Sequence, residues 1–306
     1  MARTMIRTNS YEYLVTTLFV GISLFPTLSI AKDESLTLMT WNLEWLTSTP
    51  SKKFPTSYRS EDDFSALKTQ FMGFSPDILA FQEVDSVEAI SRVVGSDYEI
   101  YLSDRSLPNN KRHQFSGINQ YTGFAVRHGH TVKDVADFPL SKGGRLRFAS
   151  AIELTLEDGA TVKLLSVHLK AGCSGKYTSH HSCKTLKQQG RVLNSWLKQL
   201  ESSDESYVLL GDFNHNLAYS GDWLWTILTK DLNTVPRLTT KSTKAECKVR
   251  SNRTPNKTHQ FRSLIDHIVV SPNLRSSPAR QDVMPTKSVL NYQMSDHCPI
   301  SLILYK

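Results

Sequence analysis

The chain reads as a layered α/β protein, with one sheet packed on another and helices covering the outer faces. Three observations predict this. Nine segments are rich in β-branched and aromatic residues and are bounded by turn residues. Runs such as "DILAF", "YVLL" and "HIVV" are apolar at consecutive positions, as in strands buried on both faces. Helical spacing appears between these segments and not within them.

The expected strands are 36–43, 77–84, 98–104, 121–128, 147–157, 161–170, 207–214, 264–271 and 300–306. One helix is expected over "SEDDFSALKTQF", where Phe64, Leu67 and Phe71 share a face. Ser60 is its N-cap candidate, and acids fill its first turn. A second runs through "KTLKQQGRVLNSWLKQL", with Leu186, Leu193, Trp196, Leu197 and Leu200 on one face. "GDWLWTIL" (221–228) is expected to be a core-facing helix.

The first 31 residues differ from the rest. Arg3 and Arg7 precede an apolar stretch from Leu14 to Ile30, and small residues Ser29 and Ala31 follow at cleavage-site spacing. Gly21 and Pro26 interrupt the stretch, which is short for a membrane span. Residues 1–31 are therefore expected to be a cleaved signal peptide, and 32–306 one domain that is secreted or periplasmic, a monomer without a stable membrane span. An uncleaved anchor is the competing expectation.

Export makes the four cysteines readable. Cys173 and Cys183 bracket a polar loop and suit a local disulfide. Cys247 and Cys298 form either a second bridge or, for Cys298 in the apolar "HCPISLIL", a buried free thiol. The paired short spacings of a structural zinc site are absent. The formal charge of the 306 residues is +7, of which about +6 remains once Arg3, Arg7 and Glu12 are removed. That excess favours polyanionic partners such as nucleic acid, acidic head groups or phosphate esters.

At the end of nearly every apolar strand a polar residue breaks the run. These are Asn42 and Glu44, Gln82 and Glu83, His168 and Lys170, Asp212 and Asn214, Asp266 and His267, and Asp296 and His297. Any one alone reads as a turn or cap residue, since Asp and Asn favour turns. Together, each would carry a desolvation cost unless the strand ends converge and partner one another. Carboxylates without a cysteine cluster suit a hard cation: Mg²⁺, Mn²⁺ or Ca²⁺. Histidines beside aspartates suit acid and base work, and amides can donate to a phosphoryl oxygen. The set fits metal-assisted attack of water on a phosphate ester.

"TWNLEW", "DILAFQEV", "SVHLKAGC", "LLGDFNHN", "IDHIVVS" and "SDHCPISL" occur in the order found in the endonuclease/exonuclease/phosphatase superfamily, which the chain resembles from Leu36 to Leu304. The resemblance implies a four-layer sandwich, two face-to-face mixed β-sheets flanked by helices. It implies a cation held by Glu83 and Asp296, with Asn42 near metal and phosphate and Glu44 as an acidic neighbour. It implies that Asp212 and Asn214 handle nucleophile and phosphate, that His168 contacts the scissile phosphate or assists the leaving group, and that Asp266 orients His297. On this reading His297 and Asp212 activate water, while His168 and the cation stabilise the departing oxygen.

Lys170, Arg145 and Arg147 are phosphate-binding candidates or ordinary surface cations. His180 and His181 suit a solvated loop better than a metal site. "NRT" at 252 and "NKT" at 256 are glycosylation sequons in a eukaryotic source alone. The expected activity is that of a secreted, divalent-metal-dependent nuclease acting on DNA, with RNA second. The basic segments 107–115 and 241–262 would flank the polymer. The alternatives are a phospholipid or inositol phosphate phosphodiesterase or phosphatase, and a catalytically inactive binding module.

Overall fold

A computed structural model describes residues 35–251 and 253–305. The expected signal peptide and Asn252 of the first sequon lie outside them. In chain order the strands are β1 (Ser35–Leu46), β2 (Ile78–Val84), β3 (Tyr98–Leu102), β4 (Tyr121–Arg127), β5 (Thr131–Pro139), β6 (Phe148–Thr155), β7 (Thr161–His168), β8 (Ser206–Asp212), β9 (Arg237–Leu238), β10 (Lys248–Arg250), β11 (Thr258–Gln260), β12 (Asp266–Val270), β13 (Arg275–Ser276), β14 (Arg280–Gln281) and β15 (Ile300–Tyr305). The α-helices are α1 (Glu61–Phe74), α2 (Val87–Val94), α3 (His181–Ser202), α4 (Trp223–Leu228) and α5 (Thr286–Asn291).

Two sheets hold most of these strands. The first runs β13-β15-β1-β2-β4-β3, with β14 also on β15; the second runs β5-β6-β7-β8-β12-β9. Both are mixed. β1 pairs parallel to β2 and antiparallel to β15. β7 pairs parallel to β8, which pairs antiparallel to β12. All nine expected strands are present; β1 runs three residues past its expected end and β8 starts one residue early, while most of the others are trimmed at their turn residues.

The period of two decides what each strand faces. Leu36 and Leu38 of β1, Val162 and Leu164 of β7, Val208 and Leu210 of β8, and Ile268 and Val270 of β12 meet in the layer between the sheets. The alternate residues Met39, Trp41 and Leu43 pack outward on Phe64, Leu67 and Phe71 of α1 and Ile90 and Val93 of α2. On the other side Leu165, Val167 and Leu209 pack on Leu186 and Leu193 of α3 and Leu224 and Leu228 of α4. This is the four-layer sandwich.

Local chemistry agrees. α1 starts at a capping box, Ser60 with Asp63, and three acids complement its dipole. α2, which the sequence reading did not single out, has ordinary signals: a Ser86 cap, and Gly95 after its last turn. α3 begins earlier than expected, so Cys183 and the exposed His181 are helical and His180 is the N-cap. α4 buries Leu224 and Leu228, as expected of a core-facing helix. Disulfides join Cys173 to Cys183 and Cys247 to Cys298, so Cys298 is bridged and not a free thiol. Among the described residues no helix is long and apolar enough to cross a membrane.

Candidate active site

The layer between the sheets is apolar through its middle and polar at one end. Continuing the inward-facing positions of β8 from Val208 and Leu210 reaches Asp212. The same count reaches His168 on β7, Asp266 on β12 and Asn42 on β1. Pairing register aligns them: His168 sits opposite Asp212, and Asp266 sits opposite Asp212 on its other side. The parallel contact of β7 and β8 is close, and it explains Gly211. A Cβ there would lie 2.0 Å from the Val167 carbonyl oxygen.

Asp212 is the buried hub. Its Oδ2 accepts from Asn42 Nδ2 at 3.0 Å and from Asn214 Nδ2 at 3.1 Å, and its Oδ1 accepts from Asn214 N at 2.7 Å. Burial pushes its carboxyl up to about 7; Asp266 adds to the rise, and His297 and these hydrogen bonds oppose it.

His297 Nδ1 lies 2.7 Å from Asp266 Oδ2, and its Nε2 lies 3.9 Å from both Asp212 Oδ2 and Asp296 Oδ1. Burial alone would lower the pKa of His297. Asp266, by charge and hydrogen bond, then Asp212 and Asp296, instead hold it well above the usual imidazole value. Its loop is tied to β1: Trp41 Nε1 donates to His297 O at 3.0 Å, and Ser295 Oγ donates to Asn42 O at 2.6 Å. Exposure rises outward, from 2% for the Asp212 side chain through 13% for His297 to 51% for Asp296.

His168 is buried, with Nε2 3.5 Å from Glu83 Oε1 and 3.5 Å from Asp212 Oδ2. Arg147 Nη2 lies 3.0 Å from that nitrogen. A guanidinium can only donate, so Nε2 accepts and the ring is neutral. Burial and the charge of Arg147 hold His168 well below the usual value. This corrects one expectation. Arg147 is no surface cation: it also donates to Gln120 Oε1 at 2.7 Å, and Glu83 and Asp212 offset its burial. The His168 nitrogen that faces the acids is the one Arg147 Nη2 approaches.

The acids Glu44, Glu83 and Asp296 form the second half of the site. Irregularities at the ends of β1 and β2 aim Glu44 and Glu83, and Asp296 stands in the loop before β15. Glu44, Trp45, Glu83 and Asn214 all have positive φ, which side chains other than glycine seldom adopt. Asp296 N donates to Glu44 Oε2 at 3.1 Å, and Trp45 N donates to Glu83 Oε2 at 3.1 Å. Burial first, then the charges of Asp296 and Glu83, push the Glu44 carboxyl up to about 8 against the pull of Arg59 and His297.

Sequence reasoning missed Arg59. Its Nη2 donates to Leu43 O at 3.0 Å and Met294 O at 2.9 Å, clamping the segments that carry Glu44 and Asp296. It lies in an irregular stretch with no pattern to mark it. Asn42 differs in detail from the expected ligand: its Oδ1 already accepts from Glu44 N at 3.0 Å. Lys170 is half-buried past the end of β7, near enough to disfavour protonation of His168. Arg145 is exposed and lies over the Phe115 ring at 5.6 Å, with no link to the strand ends. Gln82 and His267 are structural. Gln82 donates to Ser166 Oγ across the sheets, and the His267 ring is held by Thr240 and Leu217.

The model of the Endonuclease/Exonuclease/phosphatase family matches residues 39–297, a span that takes in every one of these side chains. The chain belongs to that family. Solved structures share its fold. TDP2 from Caenorhabditis elegans is 17% identical with a TM-score of 0.61, over 89% of this chain and 75% of that one. The mannosyl-6-phosphatase of Bacteroides thetaiotaomicron is 15% identical with a TM-score of 0.60, over 89% of this chain and all of that one (100%). D. rerio TDP2, solved with a single-strand DNA product, is 17% identical with a TM-score of 0.62, over 90% and 100%. No curated protein matches by sequence.

Members of the family are phosphoesterases, typically dependent on a divalent cation, and the residues here fit one. Glu44, Glu83 and Asp296 concentrate acid with Arg59 as the nearby cation, and mutual repulsion lifts Glu44. Among the described residues, the three ligand-type atoms within 4.8 Å of one another are instead those of Asp212, Asp266 and His297. That cluster already has its cation in the charged His297 ring, so a proton accounts for its closeness. The oxygen-only acids beside it suit Mg²⁺, Mn²⁺ or Ca²⁺ better.

Proposed function

We propose that the chain is an exported, divalent-cation-dependent phosphodiesterase that cleaves nucleic acid, with DNA favoured over RNA. One observation carries the reading: Asn42, His168, Asp212, Asp266 and His297, from four strands and a loop, meet beside Glu44, Glu83 and Asp296 at one end of the sandwich. The charge of +7 supports a polyanionic substrate, and the two disulfides support an oxidising compartment reached through the 1–31 segment.

A cation held by Glu83 and Asp296, with Glu44, would neutralise phosphate charge and polarise the scissile ester. The chain's own groups do the rest. Asp212 takes the proton of the attacking water, since a carboxyl near pH 7 is matched to that task. His297, charged and fixed by Asp266, presents Nε2–H to the same space and steadies the phosphoryl charge. It is thus a donor, and the base role falls to Asp212 alone. Arg147 supplies a second donor across the site, and His168 holds it in place.

The test is direct. The protein is incubated with plasmid DNA, RNA, sphingomyelin, phosphoinositides and mannose 6-phosphate, each with Mg²⁺ and with chelator. Nicking of plasmid that is lost with chelator, and lost in Asp212→Ala and His297→Ala, supports the reading. Turnover of lipid or sugar phosphate with plasmid intact replaces it.

A further inference from the structure

Three clefts open on Asp296, and the two larger ones share a second residue. One, of about 470 Å³, is lined by Asn214, Tyr219, Phe261, Arg262, Asp296 and His297 among others. The second, of about 340 Å³, is lined by Arg250, Arg253, His259, Phe261 and Asp296. Phe261 is common to both, and it is 43% exposed. Its ring is open to a ligand in either cleft. It stands at the foot of the β10–β11 hairpin, with its amide donating to Cys247 O and its ring edge-on to His259 at 5.1 Å. From 248 to 262 the chain has five lysines and arginines and no acid. The hairpin is not a loose flap. Cys247 is bridged to Cys298, the residue after His297, and Arg250 Nη2 donates to Tyr292 O at 2.9 Å. The position of Phe261 is therefore fixed against the reacting groups.

We propose that this hairpin is the substrate arm, and that Phe261 stacks an unpaired base next to the scissile phosphate while the Arg253 cleft takes a neighbouring phosphate. The inference rests on the phosphodiesterase reading and narrows it to single-stranded nucleic acid. A flat, open ring flanked by cations is the surface that binds bases without reading their edges. A base reaches such a ring only after leaving its stack, which a single strand permits at little cost.

The test compares two short oligomers, one of thymidine and one of the same length with abasic sugars throughout. Wild type and Phe261→Ala are assayed on both with Mg²⁺. The substitution should lower kcat/KM on the thymidine oligomer by roughly 5- to 150-fold, and leave the abasic oligomer unchanged. Phe261→Trp should restore the thymidine value. Arg253→Ala should flatten the salt dependence by about 0.7 in log–log slope on both oligomers. Equal losses on both oligomers in Phe261→Ala, or none on either, overturn the stacking role. Wild type that nicks plasmid but cleaves neither oligomer overturns the single-strand inference and leaves the phosphodiesterase reading standing; wild type that cleaves neither the oligomers nor plasmid sinks both.

Discussion

His297 and Asp266 form one ion pair at 2.7 Å across the end of the sandwich, and the pair decides what His297 can do. The ring keeps its proton against burial because Asp266 is there. Its Nε2 is left facing Asp212 as a donor.

Asp266→Asn should therefore bring the His297 pKa down toward or below its ordinary value, read by NMR titration of the ring. Turnover should fall by about a hundredfold or more. The raised folded pKa of His297 also gives a stability term. That term is fully present below about pH 6.5, the unfolded value, and is lost as pH rises through the folded value. Melting curves with chelator should show the gap between wild type and His297→Gln closing with rising pH. A gap that widens contradicts the assignment.

Asp212 has a consequence of the same sign in a lower pH window. Its folded pKa of about 7 lies above the unfolded value, so its term favours folding only while the carboxyl keeps its proton. Stability should drain away between about pH 4 and pH 7. Asp212→Asn should abolish turnover yet melt at or a few degrees above wild type at pH 8 in chelator. A melting point well below wild type would show that the carboxylate is structurally required.

Glu44 should couple cation binding to pH. Its carboxyl, pushed up to about 8, must lose its proton when an ion enters. The melting-point gain from added Mg²⁺ should be larger at pH 8.5 than at pH 6, following the mass-action law for a ligand of the folded state. Glu44→Gln should remove most of that difference. A gain independent of pH in wild type would place the ion elsewhere.

Gly211→Ala should damage stability and site together. The added methyl meets the Val167 carbonyl at 2.0 Å, so β7 and β8 must part where they carry His168 and Asp212. A loss of about 1–3 kcal/mol is expected from such overpacking, measured by urea unfolding. A variant with wild-type stability would mean the strands relax more freely than this contact allows.

Much of the site was legible because it follows from one count. Val208, Leu210 and Asp212 stand two apart, as do Leu36, Leu38, Thr40 and Asn42, so the polar ends had to share the inward face. What stayed hidden depends on partners remote in sequence. Arg147 looks like any cation after a glycine pair, until Gln120 and His168 are seen to hold it. Arg59 works through main-chain carbonyls, which leave no trace in residue type. β5 escaped notice because it is an edge strand with Lys133, Asp134 and Asp137 along it, and edges carry charge. Cys247 was the one cysteine left to pair with Cys298, but across 51 residues nothing local decided between a bridge and a free thiol.

The inner strands are greasy on both sides, and this makes their alignment fragile in a particular way. A deletion of one residue within β8 would leave a stretch that still satisfies oil on either side. Hydrophobicity would register little change. Asp212, however, would swing into the helical layer under α3, away from Asn42 and His297. The charged rim, together with the glycine under the Val167 carbonyl, tells these strands how far to slide.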